Sequence, residues 1–176
     1  MNIKATKMIR GFLAFIATLL ILYGVQFLWQ NYSITMPLNK ELVTIPGIQN
    51  VIVQKPAKIN EPINISISLS SVSNFPKTYT EINEKIVQTL KDKTYVINIK
   101  GNENEELENL YSAISLYVEK SLIDGSFPTL VEKSHELANT IDSVANISID
   151  DEYIYIHIAK GNNNLYKLVS RQSRGR

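Results

Sequence analysis

The hydrophobic positions of this chain change their period along its length. Gly11 to Trp29 is a nearly unbroken apolar run in which only Thr18 and Gln26 are clearly polar. From Ile63 to Ser71, apolar and polar residues alternate strictly, which is the period of a half-buried strand. Later segments repeat their apolar residues every three or four positions, as one face of a helix does. These patterns predict one apolar helix followed by an α+β domain.

The apolar run has the length of a membrane span. A bilayer core of about 30 Å needs roughly 20 apolar residues in a helix. Basic residues precede the run and Trp29 follows it, and basic flanks of a span stay in the cytoplasm. We therefore predict a cytoplasmic tail over 1–10, a transmembrane signal anchor over 11–30, and a C-terminal domain outside the plasma membrane. The residues that mark this anchor are Arg10, Gly11, Phe12, Leu20 and Trp29.

Three other interpretations of the apolar run compete with a membrane span. A cleaved signal peptide has a shorter apolar region and a small-residue cleavage site, which is missing here. A buried core helix would show a polar face. The sequence Arg10-Gly11-Phe12 resembles the processing site of a type IV prepilin, which implies cleavage after Gly11 and a pilin-like protein. At Ile16, however, most prepilins carry a glutamate.

Residues 31–62 are predicted to form an extended linker. The segment contains four prolines, which lack a donor and restrict the preceding residue. Between Pro46 and Pro56, residues 49–54 read as a short edge strand.

Residues 63–170 are predicted to fold as one extracytoplasmic α+β domain. The elements follow the order β-α-β-α-α-β-β-β, with helices over about 75–91, 103–123 and 127–141. The first β-α-β should join parallel strands, and the last three strands should form an antiparallel meander. We expect a two-layer domain with one mixed sheet. A basic tail, 171–176, follows.

The charge distribution supports this division of the chain. The net charge of +1 combines three basic residues in the first ten positions with 15 basic and 17 acidic side chains from Lys40 onward, a net −2 for that part. A weakly acidic domain argues against nucleic-acid binding. The many Ile, Asn and Lys residues hint at an AT-rich bacterial genome.

Motifs that carry chemistry are nearly missing from the sequence. The chain has no cysteine, which excludes thiol nucleophiles and disulfides, and no nucleotide-binding or hydrolase motif. The acidic turn at 150–152 is typical of a tight turn, and the acidic start of the second predicted domain helix suits the helix dipole. The sequence spacing of His135 and His157 does not place them close enough to bind one metal ion. We therefore predict no catalytic residue, no metal site and no cofactor.

One stripe of side chains stands out on the strand 152–159. Tyr153, Tyr155 and His157 lie on one face, opposite three isoleucines. An exposed aromatic face of this kind marks partner contact. Covered by a helix, the same residues are the second side of a buried strand. The sequence leaves both interpretations open.

The leading hypothesis is a non-catalytic, single-pass membrane protein whose outer domain serves protein–protein interaction or envelope assembly. Its expected partners are membrane lipid, through the N-terminal helix, and other membrane or envelope proteins. One alternative is an extracytoplasmic module that binds a small molecule or peptide. An enzyme and a minor pilin-like protein are less favoured alternatives.

Overall fold

The computed structural model describes residues 3–54 and 61–172; within these, the side chains of 3–11 and 26–34 are not described. The described residues form four helices and six strands. Their bounds are α1 Ile3–Val43, β1 Ile48–Gln54, β2 Ile63–Leu69, α2 Phe75–Leu90, β3 Tyr95–Lys100, α3 Glu105–Asp124, α4 Phe127–Asn139, β4 Val144–Ile149, β5 Tyr153–Lys160 and β6 Asn163–Ser170. The α+β class predicted from the sequence is confirmed.

The strands form two sheets of three rather than one mixed sheet. The first sheet has the order β1-β2-β3, and the second has the order β4-β5-β6. β2 and β3 are parallel, and β4, β5 and β6 form an antiparallel meander, as predicted. The prediction of a single mixed sheet is wrong, because β3 and β6 contact each other without forming a hydrogen-bonded ladder.

The first sheet packs one face against α2. The apolar residues of β2, such as Ile65 and Ile67, are fully buried, whereas Asn64 on the opposite face is exposed. On α2 the buried side chains recur every three or four residues: Phe75, Tyr79, Ile82, Ile86 and Leu90. The helix begins at a side-chain cap, since Asn74 Oδ1 accepts a hydrogen bond of 3.0 Å from the Lys77 amide.

The second sheet packs against α3 and α4. Ile154, Ile156 and Ile158 of β5 are fully buried with Leu107 and Ile114 of α3. α3 begins after Asn104, whose side chain accepts from the Leu107 amide at 3.0 Å. It ends at Gly125, which has a left-handed φ of 74°, a conformation suited to glycine.

Residues 31–43 differ from the extended linker that the sequence predicts. They continue α1, which contains Pro37 within its helical range. Proline costs about 3 kcal/mol inside a helix. Here the burial of Leu38, Leu42 and Ile45 in the core of the first sheet offsets that cost. β1 is found where the short edge strand is predicted, and residues 55–60 lie outside the described residues.

Among the described residues, no helix combines the length and the apolar character that a membrane span requires. The transmembrane assignment of 11–30 stays a prediction from the sequence. Of the predicted basic tail, Arg171 and Gln172 are described, and residues 173–176 lie outside the described part.

Candidate functional site

The aromatic stripe of β5 lies inside the protein. Tyr155 is 4% exposed and His157 is 7% exposed, while Tyr153 is half-buried. Phe75 of α2 meets Tyr155 edge-to-face, with ring centroids 5.7 Å apart. Tyr79, one turn further along α2, contacts the rings of both Tyr153 and Tyr155. Of the two interpretations that the sequence leaves open, the structure shows the covered strand.

The N-terminal end of the stripe, at Tyr153 and Tyr155, is hydrogen-bonded to the turn between β4 and β5. The Tyr155 hydroxyl donates to Asp150 Oδ2 at 2.7 Å, and Asp150 Oδ1 accepts from the amides of Glu152 and Tyr153. Burial alone would raise the pKa of Asp150, but these hydrogen bonds and the nearby Arg171 lower it below its ordinary value. Burial and the bond to Asp150 raise the pKa of Tyr155.

The C-terminal end of the stripe, at His157, belongs to a second polar cluster. His157 Nε2 lies 2.9 Å from Asn164 Oδ1, and the imidazole stacks on the Tyr166 ring at a centroid distance of 4.5 Å. Burial lowers the pKa of His157, and the hydrogen bond with Asn164 only partly opposes this effect. Because Asn164 Oδ1 can only accept, His157 Nε2 carries the proton of this hydrogen bond.

This cluster joins the two sheets. We call the contact formed by Gly101, Asn102, His157, Asn164 and Tyr166 the junction. The Asn102 side chain donates to Asn162 O at 2.8 Å and accepts from the Asn164 amide at 3.0 Å, so it acts as a short substitute for the missing ladder.

Two further contacts hold the junction together. The Tyr166 hydroxyl donates to Ser70 O at 2.7 Å and accepts from the Val72 amide at 3.1 Å, which ties β6 to the end of β2. A Cβ on Gly101 would lie 1.9 Å from Asn164 O, so only glycine fits there. Gly101 directly follows β3, and no sequence signal pairs it with Asn164.

The geometry of the stripe limits what it can do chemically. A general base or metal ligand must reach its substrate or ion, and the ring of His157 is enclosed by Asn164 and Tyr166. The Tyr155 hydroxyl and His157 Nε2 form their hydrogen bonds with side chains of the protein, Asp150 and Asn164. The stripe therefore serves as the packing layer between α2 and the second sheet.

The other candidate residues from the sequence are surface or pairing groups. His135 is exposed on α4, and no group of three metal-ligating side chains is found within the described residues. Two acids at the start of α3 pair with β5 and β6, Glu106 with Lys160 at 2.5 Å and Glu108 with Lys167 at 3.1 Å. Of the anchor residues, Phe12 and Leu20 are exposed, and the side chains of Arg10, Gly11 and Trp29 lie outside the described ones.

A surface groove of about 580 Å³ lies between α3 and α4. Leu110, Ala113 and Leu137 form part of its lining, and Glu105 and Asn109 are polar lining residues. It is open to solvent, unlike the enclosing cleft that buries most of the surface of a small molecule. The groove therefore gives no support for the ligand-binding alternative.

No protein-family model, curated protein or solved structure matches this chain. Function must therefore be inferred from the residues of the chain itself.

Proposed function

We propose that this chain is a single-pass membrane-anchored protein whose extracytoplasmic domain serves protein–protein interaction or envelope assembly without catalysis. The observation that carries the proposal is the contrast between the two ends of α1. One end exposes apolar side chains, and the other end is built into the core of the folded domain.

The exposed end comprises residues 12–25, where side chains are described. Ten large apolar or aromatic residues there are between 40% and 76% exposed: Phe12, Leu13, Phe15, Ile16, Leu19, Leu20, Ile21, Leu22, Tyr23 and Val25. Burying a large apolar side chain stabilises a protein by about 1.5–3 kcal/mol. An apolar helix without a protein partner on any side favours a lipid environment.

The docked end of α1 is held by packing and by a lysine. Leu38 and Leu42 are fully buried, and Ile45 nearly so, in the core of the first sheet. Lys85 of α2 donates to Glu41 O at 3.2 Å and to Thr44 Oγ1 at 2.7 Å. The apolar helix is thus fixed to the domain it would anchor.

Support for a non-catalytic role comes from the polar groups. In the described part of the chain, Tyr155 and His157 are buried and hydrogen-bonded to Asp150 and Asn164, and the groove between α3 and α4 is open. An interaction role needs surface and backbone edges instead of a convergent site.

Membrane topology can be tested with cysteines because the chain contains none. Ser112 is exposed on α3, so the Ser112→Cys variant should react with a membrane-impermeant maleimide added to intact cells. The Ala5→Cys variant should react only after the membrane is permeabilised. Labelling of both variants only after permeabilisation would contradict the proposed orientation.

The interaction role needs a separate measurement. The detergent-solubilised full chain should migrate as part of a larger assembly after mild cross-linking in the membrane. A clean monomer without partners under those conditions would count against the interaction role.

A further inference from the structure

The outer edge of β4 has no paired strand within the described residues. β4 pairs with β5 in a regular register from Val144 opposite Ala159 to Ile149 opposite Ile154. On its other side, no strand among residues 3–54 and 61–172 is hydrogen-bonded to it. Backbone N–H and C=O groups on such an edge can pair with another extended chain.

β4 lacks the features that usually protect an edge strand. Proteins discourage pairing at an edge with charges, prolines or bulges. β1, the outer strand of the first sheet, follows Pro46 and has a register irregularity between Ile48 and Asn50. β4 reads VANISI, with no charge, proline or glycine and no irregularity. Of these two outer edges, β4 is the better suited to strand addition.

The charges next to β4 indicate what kind of strand it accepts. Asp142 precedes β4, and the acidic turn at 150–152 follows it; all of these acids are exposed. Arg171 lies beside Asp150 and offsets one of the three acids of the turn, so this end of β4 keeps a net negative charge. A second copy of this chain would place acids against acids at the ends of the paired strands, in either orientation. A strand with basic ends would instead meet opposite charges, which favours its association.

We propose that the free edge of β4 binds an extended segment of a partner protein, uncharged and β-forming at its centre and carrying Lys or Arg at both ends. Main-chain hydrogen bonds bind the segment, and the flanking charges select it. The added strand would also cover Ile147 and Ile149, which are half-exposed, and Val144, which is 58% exposed. This inference rests on the proposed interaction function, for which it names the partner chemistry.

The test uses the full chain in neutral detergent micelles and a labelled synthetic peptide. The peptide has two lysines at each end and a Val-Thr-Val-Thr-Val centre, with a photoreactive benzophenone on one central residue. Fluorescence anisotropy should show saturable binding, and irradiation should attach the peptide to residues 144–149. A peptide of the same sequence with alternate backbone amides methylated should lose binding, because it cannot donate to the edge.

Charge variants sharpen the test. Asp142 has a positive φ of 51°, which asparagine tolerates, so the Asp142→Asn/Asp151→Asn pair should keep the fold. This double substitution should lower the affinity for the peptide about fivefold, as expected for the loss of two exposed charge contacts. The matched control, Glu84→Gln/Asp92→Asn, removes two exposed acids on α2 and the turn after it and should leave the affinity unchanged.

Several results would overturn the proposal. The proposal fails if the lysine-ended peptide does not bind, or if the methylated peptide or a glutamate-ended peptide binds equally well. It also fails if irradiation attaches the peptide to β1, or if the protein self-associates and the peptide displaces the second copy. Labelling of the Ser112→Cys variant is read independently of the peptide. A failed peptide titration with correct labelling therefore overturns only the inference about β4.

Discussion

The two sheets bury their central strands differently. β2, the centre of the first sheet, has fully buried isoleucines on one face and Asn64, Ser66 and Ser68 exposed or half-exposed on the other. β5, the centre of the second sheet, is buried on both faces from Ile154 to Ile158. α2 packs against both sheets, but of the two sheets, as far as the described residues show, the second alone has helices on both of its faces.

This difference shows that the residues on the second face of a central strand determine whether that face is left in water or covered by a helix. Both strands alternate, and both place isoleucines on one side. Serines and an asparagine on the other side of β2 remain in water at little cost. Tyrosines on the other side of β5 bring large apolar area that a covering helix can bury.

The comparison is tested most strongly by truncating the second face of each central strand. Tyr155→Ala should lower the free energy of unfolding by about 3–5 kcal/mol, because it removes a buried ring that contacts Phe75 and Tyr79. Ser66→Ala, on the open face of β2, should change it by less than about 0.5 kcal/mol. Urea denaturation of the full chain in detergent measures both. Similar losses for the two variants would show that the faces are not different.

The next largest effect is expected where the sheets meet. Gly101→Ala places a Cβ 1.9 Å from Asn164 O and should destabilise the protein by about 2–3 kcal/mol. The control is Gly125→Asn, since the space around Gly125 is open and asparagine tolerates its left-handed φ. Denaturation midpoints compare the two. A neutral Gly101→Ala variant would mean that β3 and β6 do not approach as described.

A smaller effect is expected from single hydroxyl groups. Tyr155→Phe removes the hydrogen bond to Asp150 while keeping the ring, at an expected cost of about 1 kcal/mol. Its counterpart in the first sheet is Tyr95, which is half-exposed and donates to Asn83 Oδ1 at 2.9 Å. Tyr95→Phe should cost less, because water can replace that bond. The reverse order in thermal unfolding would contradict the difference in burial.

The last expected effect is a change in pH dependence. Burial lowers the pKa of His157 below 6.5, so the unfolded chain binds a proton more readily than the folded chain. Stability contributed by the neutral imidazole is present above pH 6.5 and is lost as the pH falls from there through the lowered folded pKa. The wild-type unfolding temperature should therefore drop between about pH 7.5 and 5.

Two glutamine variants separate the histidines. His157→Gln keeps a donor toward Asn164 and should flatten this pH dependence. His135→Gln, at an exposed site, should leave it unchanged. An unchanged slope in the His157→Gln variant would assign the titration to another group.

Much of the fold could be predicted from local signals. The stripe on α2, its Asn74 cap and the alternation of β2 each act within a few residues, and the predicted helix over about 75–91 is found at Phe75–Leu90. The continuation of α1 through Pro37 was missed, because a local rule against proline is outweighed by distant burial of Leu38 and Leu42. The split into two sheets was missed for a similar reason, since the contact of Gly101 with Asn164 is non-local.

The candidate site was predicted only in part. The sequence singles out Tyr153, Tyr155 and His157 as one face, which the structure retains. That face is covered by Phe75 and Tyr79 of α2. The helical period predicts that these two residues share a stripe with the residues that contact the first sheet. It does not predict that their rings also reach the second sheet.

α1 has a geometric consequence for the whole molecule. It runs as one helix from Ile3 to Val43, so its apolar part and its docked part turn together. A helix makes one turn in about 3.6 residues, and each inserted residue therefore rotates everything beyond it by about 100°. One residue added between Val25 and Leu38 would swing the face that carries β4 to another side of the helix axis. The number of residues between these two points thus sets the direction in which the domain faces.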